Sequence, residues 1–205
     1  MDNLESKIVV IILAGGAGSR MGSIKQLLHW KHATLLENTI EQAKNSEGSD
    51  IIVVLGAHAS EIRSKISDND VIFVDNAVWE HGLGTSISCG VNYIQKNKCG
   101  ATGVLILLAD QPLIDTRYIN KMIDTFIKKS NGLVTTNYGS REGVPAIFAQ
   151  KYFLELQDLN QDFGAKELIG KNKHLTISLD PEGKETDIDT PKDYNTLLKE
   201  LPEEN

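Results

Sequence analysis

The sequence predicts a three-layer α/β/α fold, in which helices cover both faces of a mixed, mostly parallel sheet. Three observations indicate it: short apolar runs alternate with amphipathic stretches, the runs are rich in β-branched residues, and the composition is that of a folded protein. The 205 residues are 40% hydrophobic and 24% charged, which is enough for a hydrophobic core. We therefore expect residues 1–205 to form one domain.

Six apolar runs predict the strands. Near-continuous apolar runs of this length suit strands that are buried on both faces, as in a parallel sheet. The predicted strands are residues 8–13, 51–55, 71–74, 104–108, 133–136 and 175–179.

Amphipathic stretches between these runs predict crossover helices. Apolar residues recur there at the spacing of one helix face, and we expect them to pack in the core without contacting a ligand. The two clearest stripes are Ile87, Val91 and Ile94, and Ile119, Met122, Ile123, Phe126 and Ile127. Near the C-terminus, Thr190 and Pro191 with Asp193 form a helix-start signal, which predicts a last helix at about Pro191–Glu200. A frayed tail is expected at residues 203–205.

Charge and cysteine content exclude several classes of protein. The net charge of -7 argues against binding to nucleic acid, which requires clustered Lys and Arg. Cys89 and Cys99 lie outside any metal-binding spacing and suggest no disulfide framework. The longest apolar stretch, residues 8–14, is too short to span a bilayer, and the charged start at residues 1–7 resembles no signal peptide. These features predict a cytoplasmic protein with no membrane partner.

A glycine-rich loop follows the first predicted strand, where ligands of open α/β sheets gather. It reads Leu-Ala-Gly-Gly-Ala-Gly-Ser-Arg-Met-Gly over residues 13–22, with Lys25 soon after. Its glycines can bring backbone N–H donors close to phosphate oxygens, while Arg20 and Lys25 supply positive charge. A tight turn with solvated charges is the alternative.

Two familiar nucleotide loops do not fit this sequence. The dinucleotide fingerprint requires a third Gly where Met21 stands, and an acid after the second strand, where the chain reads Gly56-Ala57-His58. A Walker A loop requires Lys directly after its last Gly. A nicotinamide dehydrogenase is therefore disfavoured.

Aspartates at the ends of two later segments are candidate metal ligands. Asp110 follows the most apolar run of the chain, where a carboxylate is costly unless a cation or hydrogen-bond donors satisfy it. Mg²⁺ takes carboxylate oxygens together with substrate phosphates and waters. Asp187 and Asp189 precede the last helix and point to one side of an extended segment. Alternatively, the two carboxylates lie there because negative charge near the start of a helix interacts favourably with the helix dipole.

The segment from Gly82 to Ser88 leads into a predicted helix that begins near Thr85. Its glycines permit close approach, and its hydroxyl groups suit a polar ligand edge or a phosphate. From the residues alone, simple helix capping is the stronger account of these hydroxyls. His58 and Trp79 are expected to be structural because neither has a visible chemical partner.

Several of these segments together resemble one family. The glycine loop with Lys25 resembles the signature of nucleotidyltransferases that activate sugars, methylerythritol phosphate and molybdopterin, and the chain is most similar to molybdenum cofactor cytidylyltransferases of the MobA-like NTP transferase superfamily. Leu-Ala-Asp-Gln-Pro at 108–112 and Asp-Ile-Asp-Thr-Pro at 187–191 resemble its metal segments, and residues 76–86 its base-contacting segment. Residues 143–148 and 161–166 resemble its acceptor side, although Val144 and Lys166 depart from the usual residues.

The resemblance implies a Rossmann-like nucleotidyltransferase fold and a set of site residues. The NTP-binding part would be about 1–112 and the acceptor-binding part about 113–205. Implied catalytic residues are Arg20, Lys25 and Asp110, and implied metal ligands are Asp110 and Asp187, the latter favoured over Asp189. Implied nucleotide-binding residues are Leu13, Ala14, Gly15, Gly16, Gly18, Ser19, Arg20, Lys25, Gly82, Gly84, Thr85, Ser86, Ser88 and Asp110; implied acceptor-binding residues are Gly143, Pro145, Gly164, Ala165 and Lys166.

The activity implied is Mg²⁺-dependent transfer of CMP from CTP to molybdopterin or molybdenum cofactor, with release of pyrophosphate. An ionised acceptor phosphate needs no strong general base, in keeping with a sequence that shows no Ser, Cys or His nucleophile constellation. Three alternatives remain: GTP as the donor, a sugar or alcohol phosphate as the acceptor, or a non-catalytic chaperone that hands the cofactor to a molybdoenzyme. A molybdoenzyme could also receive the enzymatic product.

Overall fold

A seven-stranded sheet runs through the middle of the protein. The computed structural model describes residues 6–66, 68, 70–129 and 132–201, so the expected tail at 203–205 lies outside the described residues. The strands are β1 (Ile8–Ala14), β2 (His29–Trp30), β3 (Ala33–Thr34), β4 (Ile51–Leu55), β5 (Val71–Asp75), β6 (Gly103–Leu108), β7 (Leu133–Asn137), β8 (Glu142–Ala149) and β9 (Thr176–Leu179). The sheet order is β5-β4-β1-β6-β8-β7-β9, and β2 and β3 form a separate hairpin.

Strand β8 makes the sheet mixed. It pairs antiparallel with β6 and β7, whereas the other neighbouring strands of the sheet are parallel. The predicted mostly parallel, mixed sheet is confirmed, and all six predicted strands are present.

The strand β8 was not among the predicted strands, because Pro145 interrupts its run of residues. Proline cannot donate to a strand ladder and occurs at edges or bulges. Here Thr135 pairs with Ala146 and Thr136 pairs with Gly143, so that Val144 and Pro145 form a bulge between the two pairs.

Seven α-helices occur in the described part of the chain, and the first six of them build the two outer layers. They are α1 (Leu35–Lys44), α2 (Ala59–Lys65), α3 (Leu83–Lys96), α4 (Thr116–Lys129), α5 (Phe153–Gln157), α6 (Lys166–Lys171) and α7 (Pro191–Glu200). Alternate residues of β1 point to opposite faces: Val10 packs with α1, α2 and α4, and Ile11 packs with α3, α5 and α6. None of the helices in the described ranges is long and apolar enough to cross a membrane.

Two expectations about burial need correction. Strands β5 and β9 are only partly buried, because they form the two edges of the sheet and each lacks one neighbour. Ile127, assigned to the core stripe of α4, is 45% exposed, because it lies at the margin of the face that packs on the sheet.

The last helix begins as predicted. Thr190 caps α7 in a capping box with Asp193, and Pro191 occupies the first turn. Helix α7 and the β2–β3 hairpin enclose a small third core that includes Met21, Trp30 and Ile188. This core holds the end of the glycine loop and the Asp187–Asp189 segment near each other.

Candidate active site

A cleft of about 540 Å³ opens at the carboxyl ends of β1 and β6. Parallel strands end at the same edge of a sheet, so side chains from distant parts of the sequence meet there. The lining residues are Leu13, Ala14, Gly15, Gly16, Ala17, Gly18, Ser19, Arg20, Lys25, Gln26, Trp79, Glu80, Gly82, Leu83, Ser86, Leu108, Ala109, Asp110, Asp162, Asp187 and Asp189.

The glycine loop forms one wall of the cleft and is held in place by hydrogen bonds from Gln26. This side chain is only 4% exposed, and its Nε2 donates hydrogen bonds to the carbonyl oxygens of Ala14 (2.8 Å) and Gly16 (3.0 Å). Gly18 has a φ of 59°, a left-handed conformation that favours glycine. Gln26 was not singled out from the sequence, because its role depends on which backbone carbonyls the folded loop turns towards it.

Gly56 supports the same loop from the end of β4. A Cβ at this position would overlap the carbonyl oxygen of Gly15 and lie 2.8 Å from both the Gly15 Cα and the Trp79 Cβ. The glycine that stands where a dinucleotide-binding protein needs an acid is therefore required by close backbone packing.

Gly56→Ala is expected to destabilise the protein by about 1–3 kcal/mol, because backbone atoms cannot move aside cheaply. Chemical denaturation would measure the loss. Gly170→Ala is the matched control: a Cβ there meets nothing within 4 Å, and no loss of stability is expected. An unchanged unfolding midpoint in Gly56→Ala would contradict this account of the loop.

Lys25 lies at the centre of an ionic cluster in the cleft. Its Nζ is 2.6 Å from Asp110 Oδ2 and 3.1 Å from Asp189 Oδ1. Arg20 Nη2 contacts the other oxygen of Asp189 at 3.2 Å. Burial alone would lower the pKa of Lys25, but the neighbouring carboxylates, led by Asp110, raise it above its usual value. Lys25 is therefore a fixed positive charge in the cleft.

Asp187 is the second carboxylate directed at this region. The backbone N–H of Ile188 donates to the carbonyl oxygen of Asp110 (2.9 Å), which ties the acidic segment to the end of β6. Asp187 Oδ1 accepts a hydrogen bond from Gln111 Nε2 at 2.8 Å. Burial and then the negative charge of Asp110 raise the pKa of Asp187. A carboxylate whose pKa is raised by a neighbouring carboxylate lies where a cation is favoured.

Asp110 itself retains an unused oxygen. Its Oδ1 is buried and has no hydrogen-bond partner among the described residues, which is unusual for a carboxylate oxygen and suits a hard cation. Within those residues, no group of three or more His, Cys, Asp or Glu side chains forms a complete metal site. Mg²⁺ commonly binds through one or two carboxylates and completes its shell with phosphates and waters. The pair Asp110 and Asp187 fits that donor set.

The Gly82–Ser88 segment contributes two of its five predicted nucleotide-binding residues to the cleft, Gly82 and Ser86. The Thr85 hydroxyl donates to the Gly82 carbonyl oxygen at 2.8 Å and accepts from Asn76, so it organises the start of α3. Ser88 donates to the Gln157 carbonyl oxygen, away from the lining.

Gly84 has a packing role in this segment. Its N–H donates to the Gln161 carbonyl oxygen at 3.0 Å, and a Cβ on Gly84 would lie 2.5 Å from that oxygen. Gly82 packs equally closely, since its Cβ would lie 2.8 Å from Asp162 Oδ1. The two glycines thus allow residues 161–162 to pack against the Gly82–Ser88 segment, and Asp162 lines the cleft.

The predicted acceptor-binding residues lie outside the cleft lining. Gly143 and Pro145 belong to the bulged part of β8, Gly164 and buried Ala165 precede α6, and Lys166 begins that helix. Lys166 lines a separate depression of about 370 Å³. The structure therefore brings together the predicted catalytic and metal-binding residues in one cleft and places the predicted acceptor-binding residues outside its lining.

Several lining residues were missed from the sequence. Trp79 lines the cleft although it was expected to be structural, because the turn before α3 carries it to the cleft margin, beside Gly56. The others that were not singled out are Ala17, Gln26, Glu80, Leu83, Leu108, Ala109 and Asp162. Most contribute backbone or apolar surface and carry no recognisable chemical signal in the sequence.

Comparison with known proteins identifies the architecture around this cleft. The MobA-like NTP transferase domain matches residues 10–176, which contain the glycine loop, Lys25 and Asp110. The chain belongs to the MobA-like NTP transferase family. This family member is accordingly a nucleotidyltransferase with the Rossmann-like fold of its structural neighbours.

Relatives of this MobA-like chain extend over almost its full length. It is 24% identical over 199 residues to the molybdenum cofactor cytidylyltransferase of Escherichia coli K12, covering 97% of this chain and 99% of the relative. The crystal structure of Rv0371c from Mycobacterium tuberculosis H37Rv superposes with a TM-score of 0.78 at 26% identity, covering 96% and 100% of the two chains. A manganese complex of Rv0371c gives a TM-score of 0.77 at 25% identity with the same coverage.

Proposed function

We propose that this MobA-like protein is a cytoplasmic, Mg²⁺-dependent enzyme that transfers CMP from CTP to molybdopterin or molybdenum cofactor and releases pyrophosphate. One observation carries the proposal: Lys25, Asp110 and Asp187, remote in sequence, meet in the cleft behind the glycine loop. The choice of CTP and of the pterin acceptor draws its support from the cytidylyltransferase of Escherichia coli.

The chemistry requires alignment and charge neutralisation. The acceptor phosphate attacks the α-phosphorus of the nucleotide in line, and pyrophosphate leaves from the opposite side. The acceptor is largely ionised at neutral pH, because its second pKa is about 6, and no proton needs to be removed by the enzyme. Two anions must therefore be held together in a protein whose own net charge is -7.

Residues of the cleft meet these requirements. The glycine loop presents backbone N–H groups to the phosphates, and Lys25 places a positive charge beside them. Arg20, which is mostly exposed, can form a planar fork with the leaving pyrophosphate once it separates from Asp189. These donors stabilise charge where it develops in the transition state, which accounts for a large share of the rate in such reactions.

Asp110 and Asp187 are proposed to hold the divalent ion. The unpartnered Asp110 Oδ1 is the observation that favours this assignment. When bound, Mg²⁺ would neutralise phosphate charge and orient the reacting groups. The manganese complex of Rv0371c supports a divalent cation in this branch of the family.

The two halves of the chain are proposed to divide the substrates. Residues 1–112 would bind the NTP, with Gly82, Gly84, Thr85, Ser86 and Ser88 shaping the base end. Residues 113–205 would bind the acceptor, with Gly143, Pro145, Gly164, Ala165 and Lys166 beside it. A molybdoenzyme would receive the product.

A panel of pyrophosphate-release assays tests this function. The full chain is incubated with Mg²⁺, each of the four NTPs, and molybdopterin, molybdenum cofactor, a sugar phosphate or an alcohol phosphate. We expect release that depends on CTP and on a pterin acceptor, with a background rate when the acceptor is omitted. Preference for GTP, or for a non-pterin acceptor, would replace the proposed substrate. Pterin binding without release for any NTP would indicate a cofactor chaperone.

A further inference from the structure

We propose that Gln111 and Tyr138 are positioning residues that connect the metal-binding carboxylate of Asp187 to the β8 bulge on the acceptor side. The proposal rests on the assignment of Asp187 to the metal site. Neither Gln111 nor Tyr138 lines the glycine-loop cleft. Their role is inferred from a short chain of hydrogen bonds.

Gln111 is the first member of this chain. The side chain is 2% exposed, and its Nε2 donates to Asp187 Oδ1 at 2.8 Å, to the Tyr138 hydroxyl oxygen at 2.7 Å and to the Glu185 carbonyl oxygen at 3.3 Å. All three partners act as acceptors, so the NH₂ end of the amide must face them. The Asp187 carboxylate is thereby held by one oxygen from a buried, neutral donor.

Tyr138 is the second member, and it acts as a neutral donor. Burial raises the pKa of its hydroxyl to about 12, so the proton is retained at neutral pH. That single proton is donated to the carbonyl oxygen of Val144. The hydroxyl oxygen is then left to accept from Gln111, which gives the chain one direction. The Arg141 guanidinium lies 4.6 Å from the centre of the ring and adds a cation–π contact.

The bulge in β8 explains why the chain of hydrogen bonds ends at the carbonyl oxygen of Val144. Because Val144 and Pro145 lie between the two ladder pairs with β7, the Val144 carbonyl oxygen is outside the regular pairing and can accept from Tyr138. Gly143 and Pro145, on either side of it, are predicted to bind the acceptor. An acceptor that contacts this bulge would therefore affect the position of the Asp187 carboxylate and, through it, the affinity for the metal. Because such coupling is reciprocal, a bound metal would change the affinity for the acceptor by the same factor.

Such indirect contacts have measurable consequences for a metal. Loss of a partner that orients a metal ligand typically weakens metal affinity by about 10–100-fold. A residue that merely supports the fold would instead lower thermal stability without a specific effect on the metal. The two possibilities are separated by a direct measurement of metal binding.

Tyr118 provides a matched control for Tyr138. It is buried, its hydroxyl donates to Thr136 Oγ1 at 2.9 Å, and burial also raises its pKa to about 12. Its hydroxyl forms no hydrogen bond with Gln111 or Asp187. Tyr118→Phe thus removes the same atom from a more deeply buried tyrosine, outside the chain of hydrogen bonds that reaches Asp187.

The experiment is a titration of Mn²⁺ into the full-length protein without nucleotide, in which electron paramagnetic resonance measures free Mn²⁺. We expect the dissociation constant for Mn²⁺ to rise by about 10-fold in Tyr138→Phe and to stay at the wild-type value in Tyr118→Phe. Gln111→Met, which removes all three donations of the amide at similar volume, should weaken Mn²⁺ binding at least as much. Melting curves establish that each variant is folded.

Equal Mn²⁺ affinity in Tyr138→Phe and wild type, or equal weakening in both tyrosine variants, would overturn the proposal. So would a wild-type protein that binds no Mn²⁺. Because the titration needs no turnover, failure of the pyrophosphate-release panel would reject the proposed substrates while leaving this result interpretable.

Discussion

Asp110→Asn is expected to reduce metal-dependent pyrophosphate release by about 10³-fold or more. The substitution keeps the size of the side chain but removes its charge. One carboxylate oxygen pairs with Lys25 at 2.6 Å, and the other is buried without a hydrogen-bond partner among the described residues. A neutral amide is a much poorer ligand for Mg²⁺ than a carboxylate. Burial would then lower the pKa of Lys25, because its principal counter-charge is gone.

The matched control for this variant is Asp75→Asn. Asp75 ends β5 at the same edge of the sheet and pairs with Arg63 at 2.6 Å, but it does not line the cleft. Initial rates across a range of Mg²⁺ concentrations should be unaffected in Asp75→Asn, since loss of an exposed ion pair costs at most about 1 kcal/mol of stability. A wild-type rate in Asp110→Asn would remove this residue from the metal site.

The central strands were predictable because a strand that is buried on both faces requires a continuous run of apolar residues. In β1 and β4 every residue is buried, and continuous β-branched runs result. Strand β8 lacks such a continuous run, because Pro145 interrupts it at a bulge where the regular pairing with β7 is lost. Edge strands β5 and β9 have the predicted positions but less burial, since the order of strands in a sheet is not encoded in any one run.

The charged residues of the candidate site were more predictable than the glutamine side chains that hold them and the glycine loop in place. Lys25, Asp110 and Asp187 follow a strand or precede a helix, where carboxylates and lysines are expected to be functional or solvated. The contacts that hold them span great distances in sequence, such as the 164 residues between Lys25 and Asp189. Gln26 and Gln111 bind backbone carbonyls or another side chain only after those distances close, so their roles depend on tertiary structure.

Replacement of Asp187 by Asn and replacement of Asp189 by Asn are expected to change different properties, metal binding in the first case and nucleotide binding in the second. The two lie on one extended segment, but Asp187 is held by Gln111 near Asp110, whereas Asp189 pairs with Arg20 and Lys25. Asp189 thus pairs with the two cations that are proposed to contact a triphosphate. We therefore propose that Asp187 binds the metal and that Asp189 competes with phosphate for Arg20 and Lys25.

For Asp187→Asn we expect at least about 10-fold weaker metal binding together with a higher melting temperature of the metal-free protein at neutral pH. The sign of the stability change follows from the pKa of Asp187, which burial and Asp110 raise. A carboxyl group with a raised folded-state pKa favours the folded protein when protonated, so its ionised form is destabilising once the pH exceeds that pKa. An uncharged Asn removes this cost, and calorimetric melting with and without Mg²⁺ would show it.

Asp189→Asn should instead retain the wild-type metal affinity and bind CTP a few-fold more tightly when no metal is present, because Arg20 and Lys25 no longer share their charge with a carboxylate. Fluorescence or calorimetric titration of CTP in the presence of a chelator measures this difference. Loss of metal binding in Asp189→Asn but not in Asp187→Asn would exchange the two roles. Since the two residues share one short segment, that exchange would require the segment to rearrange when substrate binds, with Asp189 turning from Lys25 towards the ion.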